Sequence, residues 1–273
     1  MAIITLTTGW TDDFYGAAVK GILLSALPSV QVIDMSHQAP AFNSGISYAA
    51  YMVKHSYAYF PKDTVHIISI ASEYSEKAPF VAAYHNGHYF VGTDNGIFGL
   101  LFDSPPETIV RIEKYKDDTS PNYPAISVFA PAAVHLIKGG DITDLGGTHP
   151  NYQRKGSVLA TVDESQITGT VIHINAFGNV ITNITRYDFD RIGKGRPFEI
   201  LVQSTKRKIT RINRYFHETS HGELLAVFNF SGYLEIAQNK GKLAHLLQLS
   251  LDSNIIVKFL DKKNEGLRVK SEE

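Results

Sequence analysis

The residues able to do chemistry in this chain stand in short clusters just beyond apolar runs. Asp12-Asp13 follows Ile3–Thr8, and His37 follows Val30–Met35. Two adjacent carboxylates can bind a metal or a sugar hydroxyl; they can equally cap a helix starting near Tyr15, where carboxylates suit the N-terminal dipole. His37 lies where α/β sheets often place ligands, and a hydrogen-bonding role within the fold suits it as well. His85 and His88 flank Asn86-Gly87, so they can share a metal or stand as exposed turn histidines. Three loops combine Gly, Asn and aromatic residues: Gly92-Thr93-Asp94-Asn95-Gly96, Ala176-Phe177-Gly178-Asn179 and Asn229-Phe230-Ser231-Gly232-Tyr233. Such loops bring backbone amides close to a ligand while Asn offers both donors and acceptors. Each alone is an ordinary turn; together they suit a planar, polar ligand such as a nucleoside. A phosphate-binding loop, GxGxxG after the first strand, GxSxG and HExxH are all missing.

The elements that must hold these clusters change character along the chain. The first half alternates β-branched runs (Ile3–Thr8, Val30–Met35, Thr64–Ile70) with helical spacing over Gly16–Leu27 and in the segment opened by Asn43-Ser44. Continuous apolar strands separated by helices predict a mostly parallel sheet covered on both faces. Asn86-Gly87 predicts a hairpin between Phe80–Tyr84 and His88–Val91. Thr108–Ile112 reads as a further strand, and Phe129–Lys138 as a short helix with Pro131 in its first turn. The second half reads as close-spaced strands: Thr168–Ile174, Val180–Ile184, Phe198–Val202, Lys208–Ile212, Leu224–Phe228, Tyr233–Ala237 and Asn254–Phe259, with one helix near Lys242–Leu249. The expected fold class is therefore α/β, an N-terminal mostly parallel sheet flanked by helices followed by a smaller antiparallel β domain. The expected boundaries are residues 1–150 for the first domain, 151–166 for a linker, 167–262 for the second domain and 263–273 for a polar tail.

Composition narrows the function classes. Among 273 residues there are 26 Lys+Arg and 27 Asp+Glu, a net charge of −1. That balance argues against a generic nucleic-acid or membrane-surface protein, each of which needs a basic excess. The basic run Lys206-Arg207-Lys208 with Arg211 and Arg214 reads as the solvent face of a strand. The absence of cysteine removes disulfides, thiolate nucleophiles and zinc–thiolate sites. With no basic leader before Ile3-Ile4 and no run of about 20 apolar residues, the expectation is a cytoplasmic protein with no membrane contact.

Read in order, several segments resemble the S-adenosylmethionine (SAM) hydroxide adenosyltransferases, the adenosine-forming SAM hydrolases, whose family includes the SAM-dependent fluorinase and chlorinase. They are Ile4-Thr5-Leu6-Thr7-Thr8, Gly16-Ala17-Ala18-Val19-Lys20-Gly21, Val32-Ile33-Asp34-Met35-Ser36-His37 with Ala39-Pro40-Ala41-Phe42, Tyr59-Phe60-Pro61-Lys62-Asp63-Thr64-Val65-His66, Phe90–Gly96, Phe129-Ala130-Pro131-Ala132-Ala133, Phe177–Ile184 and Ser231–Ala237. The resemblance implies displacement at C5′ of the ribose with methionine leaving, water or a halide as nucleophile, and SAM as substrate with no cofactor or metal. It also implies a homotrimer, with ligand held between the N-terminal domain of one subunit and the C-terminal domain of its neighbour.

The chain departs from the family where that chemistry sits. The family's Asp-Pro-Gly-type loop falls on Ala71-Ser72-Glu73-Tyr74-Ser75-Glu76-Lys77-Ala78, with the carboxylate position at Ala71 and the Arg position near Ala78. The His-Gly-Arg-Asp lead falls on Pro124-Ala125-Ile126-Ser127, so the Asp-Arg-His set that prepares water is absent. The ribose-gripping Asp is matched by Thr8, and a second-domain Asp by Asn175. Thr8, Phe42, Asn95, Asn175, Phe177, Asn179 and Ser231 are the substrate-binding candidates; Glu73, Tyr74 and Glu76 are the candidates for a replacement base. The alternative is a catalytically degenerate relative that binds a nucleoside-like ligand without turnover.

Overall fold

The computed structural model describes residues 2–10, 14–39, 43–115, 122–156, 159–203 and 208–260. The chain forms two compact units, Met1–Ser157 and Val158–Glu273.

In the first unit, six strands line up in the order β2-β1-β3-β5-β4-β6: β1 (Ile3–Thr8), β2 (Gln31–Ser36), β3 (Val65–Ser69), β4 (Phe80–His85), β5 (His88–Thr93) and β6 (Thr108–Arg111). β2, β1, β3 and β5 run parallel; β4 is antiparallel to β5, and β6, antiparallel to β4, runs in the same direction as the first four. Strands β1, β3 and β5 are covered on both faces, as the continuous apolar strands predict, while the edge strand β2 has no buried residue. On one face, Ile4, Leu6, Val65, Ile67 and Val91 pack with Val19 and Leu23 of α1 (Phe14–Ala26), and with Ala133 and Leu136 of a helix at Ala130–Ile137. On the other, Ile68, Val81, Ala83 and Phe90 pack with Ala49 and Val53 of α2 (Asn43–Lys54), and with Ile97, Phe98 and Leu101 of α3 (Ile97–Leu101). The Ala130–Ile137 helix is α4. Pro131 stands in its first turn, where a missing N–H costs nothing.

The β4–β5 turn carries Asn86 at φ 50° and Gly87 at φ 79°, the left-handed pair that a two-residue hairpin demands. Its flanking histidines are not exposed. His85 and His88 are 3% and 0% accessible, because this register points both into the layer beneath α3 with Phe90 and Phe102. They extend a buried polar row in which Thr5 Oγ1 meets His66 Nδ1 at 2.8 Å and His66 Nε2 meets His88 Nδ1 at 3.4 Å. Among the described residues no group of three or more His, Asp or Glu is arranged to hold a metal ion.

The second unit is an antiparallel, nearly closed sheet in the order β11-β10-β14-β8-β9-β13-β12, with β7 (Thr161–Val162) paired to β8. The strands are β8 (Gln166–Ile174), β9 (Val180–Thr185), β10 (Phe198–Val202), β11 (Lys208–Ile209), β12 (Leu224–Phe228), β13 (Tyr233–Gln238) and β14 (Asn254–Phe259). β8 alternates buried and half-buried positions along its length, the period-2 pattern of one face on a core. It pairs with β14 through its first half and β9 through its second, and at the crossing Gly169 leaves room for Asn183 and Ile184, which a Cβ would meet at 2.6 and 2.4 Å. The expected basic strand is only Lys208–Ile209, since Lys208 bonds Glu199 and Arg211 turns to the Glu218 carbonyl; Lys206 and Arg207 lie outside the described residues. The helix read near Lys242–Leu249 shrinks to one turn, α6 (Leu243–Leu246). A helix that apolar spacing did not announce, α5 (Arg186–Gly193), follows β9, with Thr185 Oγ1 accepting from the Asp188 backbone N–H at 3.0 Å.

Burial pushes His66 down to about 3 and His173 down to about 4. An imidazole that ionises near 6.5 when unfolded binds its proton in preference in the unfolded chain, so stability is complete above about pH 6.5 and drains away as pH falls toward these values. At pH 4, His66 alone removes on the order of 3 kcal/mol. The urea midpoint should therefore drop steeply between pH 7 and about 4.5, and His173→Phe should flatten the fall; a midpoint unchanged across that range contradicts the assignment.

Candidate active site

β1 is buried from end to end, so its chemistry is confined to its carboxyl end. There Thr8, 1% accessible, places Oγ1 at 2.7 Å from His37 Nδ1 and accepts the Trp10 backbone N–H at 3.2 Å. His37 Nε2 stands 3.0 Å from Asp34 Oδ1, and Lys20 of α1 donates to Asp34 Oδ2 at 2.5 Å. Burial would raise the Asp34 carboxyl, but hydrogen bonds from Lys20 and His37 outweigh it and hold the group below the usual carboxylate range. A carboxylate only accepts, so Nε2 carries the imidazole proton and Nδ1 accepts from the Thr8 hydroxyl.

The β3–β4 connection begins at the same edge. Ala71 sits at φ 44°, a strained conformation for a residue with a side chain. Asn95, just past β5, holds it by donating Nδ2–H to the Ile70 and Ala71 carbonyls at 2.8 and 3.2 Å, while Oδ1 accepts from the Ile97 N–H. Further along, Tyr74 donates its phenol to Glu76 Oε1 at 2.8 Å. Arg111, at the end of β6, donates to both Glu76 oxygens at 3.0 and 3.1 Å and to the Tyr74 oxygen. Glu73 is exposed beside this cluster. The strand order explains Arg111: β6 is antiparallel to β4, so its last residue pairs with Val81, back at the carboxyl edge of β3 and β5. Sequence reasoning missed it because a partner 37 residues away has no local signature. Phe42 lies outside the described residues.

Asp94 has a structural task. It is 1% accessible and accepts His149 Nε2–H at 2.9 Å and the Gln153 backbone N–H at 2.9 Å. Residues 149–153 are thereby fastened to the end of β5.

In the second unit the structure brings Asn175, Phe177 and Asn179 together in the β8–β9 turn. Asn175 Oδ1 accepts the Phe177 and Asn179 N–H groups at 3.0 and 3.1 Å. Asn179 Nδ2 donates at 2.8 Å to Glu235, a 7% accessible carboxylate. Phe177 is 75% accessible at the tip, an open aromatic face. Ser231 is in the β12–β13 turn, where its N–H bonds Asn229 Oδ1 at 3.0 Å. Because β13 starts beside the end of β9 and finishes beside its start, Ser231 and Asn179 occupy opposite ends of that strand pair. A 710 Å³ cavity elsewhere in this unit is lined by Lys208, Arg211, Asn213 and Glu223, and by none of the substrate-binding candidates.

Asp94→Ala should leave two half-buried donors without their acceptor, at a cost on the order of 1 kcal/mol. The expected result is a lowered melting temperature with faster amide exchange over residues 149–153; unchanged exchange there would contradict the fastening role.

With this geometry in hand, comparison with known proteins is direct. The SAM hydroxide adenosyltransferase N-terminal domain model matches residues 4–146 and the C-terminal domain model residues 169–256. A (R)-S-adenosyl-L-methionine hydrolase of Methanocaldococcus jannaschii is 30% identical, the match covering 90% of this chain and 92% of that one. A fluorinase of Nocardia brasiliensis is 23% identical over 92% of this chain and 94% of that one. Among solved structures, an uncharacterized conserved protein from Thermotoga maritima shares the fold with a TM-score of 0.83 at 24% identity, covering 94% of this chain and all of that one. The chain belongs to the SAM hydroxide adenosyltransferase family.

Proposed function

We propose that this protein cleaves S-adenosylmethionine at C5′ of the ribose, releasing methionine and adenosine or a related nucleoside. The observation that carries the reading is that both family domain models match, in order, across nearly the whole chain. Relatives matched over nine-tenths of this chain's length are named as SAM hydrolases. The chemistry asks little of the protein: the sulfonium is already an activated leaving group, so catalysis reduces to desolvating the nucleophile and aligning it behind C5′.

The Asp-Arg-His set of the family is absent from its usual positions, and the rewritten loop together with the end of β6 supplies a comparable inventory. Glu76 brings a carboxylate, Arg111 a guanidinium and Tyr74 a phenol, within direct hydrogen-bond contact of one another at the carboxyl edge of the sheet. Arg111 lies with its guanidinium 5.8 Å from the Tyr74 ring centroid, which helps fix the phenol. In this reading Glu76 and Tyr74 order the nucleophile, Arg111 positions them, and Glu73 serves no direct role. Thr8 and Asn95 are the ligand-binding candidates at the carboxyl edge of the first unit, and Asn175, Phe177 and Asn179 those of the β8–β9 turn, with Phe177 offering a stacking face; Ser231 stands at the other end of the β9–β13 pair, and Phe42 lies outside the described residues. The resemblance further supports a homotrimer, in which ligand binds between the N-terminal domain of one subunit and the C-terminal domain of its neighbour, and a cytoplasmic setting. No helix among the described residues is long and apolar enough to cross a membrane.

Pure protein incubated with SAM should yield adenosine and methionine in equal amounts by chromatography, above the spontaneous rate. Glu76→Gln and Arg111→Met should each lower kcat at least ~10-fold, toward the range for loss of a positioned acid–base group. Absence of product at high protein concentration, with a melting temperature raised by SAM or adenosine, would instead identify a binding protein.

A further inference from the structure

A second polar assembly at the carboxyl edge has a connectivity that the Glu76 cluster lacks. Thr8 Oγ1, His37 and Asp34 form an unbroken hydrogen-bonded line, 2.7 Å and then 3.0 Å, with Lys20 fixing the far carboxylate oxygen. Accessibility rises along it. Thr8 is buried at 1%, the His37 side chain is 22% exposed and the Asp34 side chain 39%. The line therefore leads from the closed end of β1 to water. The proton pattern is that of an activated hydroxyl: Thr8 donates to an imidazole whose other nitrogen donates to a carboxylate.

We infer that Thr8, His37 and Asp34 are a proton relay for the reaction, and that the nucleophile this site is built to use is water. The inference rests on the proposed cleavage of SAM. When water attacks, its oxygen bonds to C5′, the C5′–S bond breaks, and the electron pair leaves with sulfur as neutral methionine. One proton must then depart, because a sulfonium cation and water become two neutral products. Thr8 takes that proton from the attacking water as its own passes to His37 Nδ1. The imidazolium is stabilised by the Asp34 carboxylate, and the partly exposed His37 passes the proton on to solvent. A halide attacking the same carbon releases no proton, so a relay of this kind has no task in a halogenase. Asp34 acts through His37 and is a positioning residue.

The test combines His37→Gly, Asp34→Asn and Thr8→Val with imidazole added to the buffer, each variant first checked for a cooperative unfolding transition. The expected result is a fall in kcat for adenosine release of at least ~100-fold in His37→Gly, within the span of general acid–base effects, with KM for SAM changed less than about threefold. Added imidazole should restore kcat of His37→Gly at least ~10-fold and do nothing for Thr8→Val. Asp34→Asn, which keeps the size of the side chain, should lower kcat without imidazole rescue. A folded His37→Gly with wild-type kcat, or with a loss that imidazole does not touch, overturns the relay while leaving SAM cleavage intact. A wild-type protein that makes 5′-chloro-5′-deoxyadenosine in chloride but no adenosine overturns the choice of water. A wild-type protein that makes neither nucleoside overturns the parent reading and the relay together.

Discussion

A strand buried on both faces has nowhere to display a reactive group except its ends, and that constraint organises the first unit. β1 is inaccessible along its whole length, packed beneath α1 and α4 on one side and α2 on the other. Because β2, β1, β3 and β5 all run the same way, their carboxyl ends meet at a single edge. Thr8, His37, Asn95 and the loop bearing Glu76 are neighbours at that edge for this reason alone. The last two strands add to it: the reversed strand β4 begins there and β6, running with the first four, finishes there, delivering Arg111. Parallel α/β sheets place ligands at the carboxyl ends of their strands, and here the Thr8–His37–Asp34 and Glu76–Tyr74–Arg111 groups collect at that end, while His85 and His88 lie at the opposite one.

Most of the loop polarity is spent on the protein itself. Asp94 holds residues 149–153, Asn95 holds the strained start of the β3–β4 connection, and Asn175 and Asn229 each close their own turns. Gly-Asn-aromatic loops and ligand loops therefore look alike in sequence because both need a side chain that can imitate backbone. What separates the Glu76–Tyr74–Arg111 cluster and the Thr8–His37–Asp34 line from the buried Asp94 is that their carboxylates, Glu76 and Asp34, are open to solvent.

The fold was legible where local pattern and tertiary burial agree. The β-branched runs Ile3–Thr8 and Thr64–Ile70 became buried parallel strands and Val30–Met35 the half-exposed edge strand, Asn86-Gly87 became the hairpin turn, and the close-spaced runs after residue 160 became an antiparallel sheet. Reading failed where position in the sheet decides. His85 and His88 sit next to a turn, a place that suggests exposure, yet the β4–β5 register turns both inward. Helix α5 is mostly polar and so carries little apolar periodicity, but Thr185-Arg186-Tyr187-Asp188 has the spacing of a capping residue followed by an acidic one, a signal that could have found it. Of the candidate site, Glu73, Tyr74 and Glu76 were legible as candidates in the rewritten loop, and the structure joins Tyr74 and Glu76 by a hydrogen bond. Arg111 was not, because antiparallel pairing with β4, and no feature of its own neighbourhood, brings it back to that edge.

The central claim is that the carboxyl edge of this sheet still receives a nucleoside although the usual water-preparing residues are gone. A crystal structure of the protein grown with S-adenosylmethionine tests it most directly. The account predicts density for adenosine or SAM at the ends of β1 and β3, with the ribose next to Thr8 and C5′ facing the Tyr74–Glu76 loop. A nucleoside bound away from that edge, or an edge closed by its own side chains with none bound at saturating SAM, would contradict it.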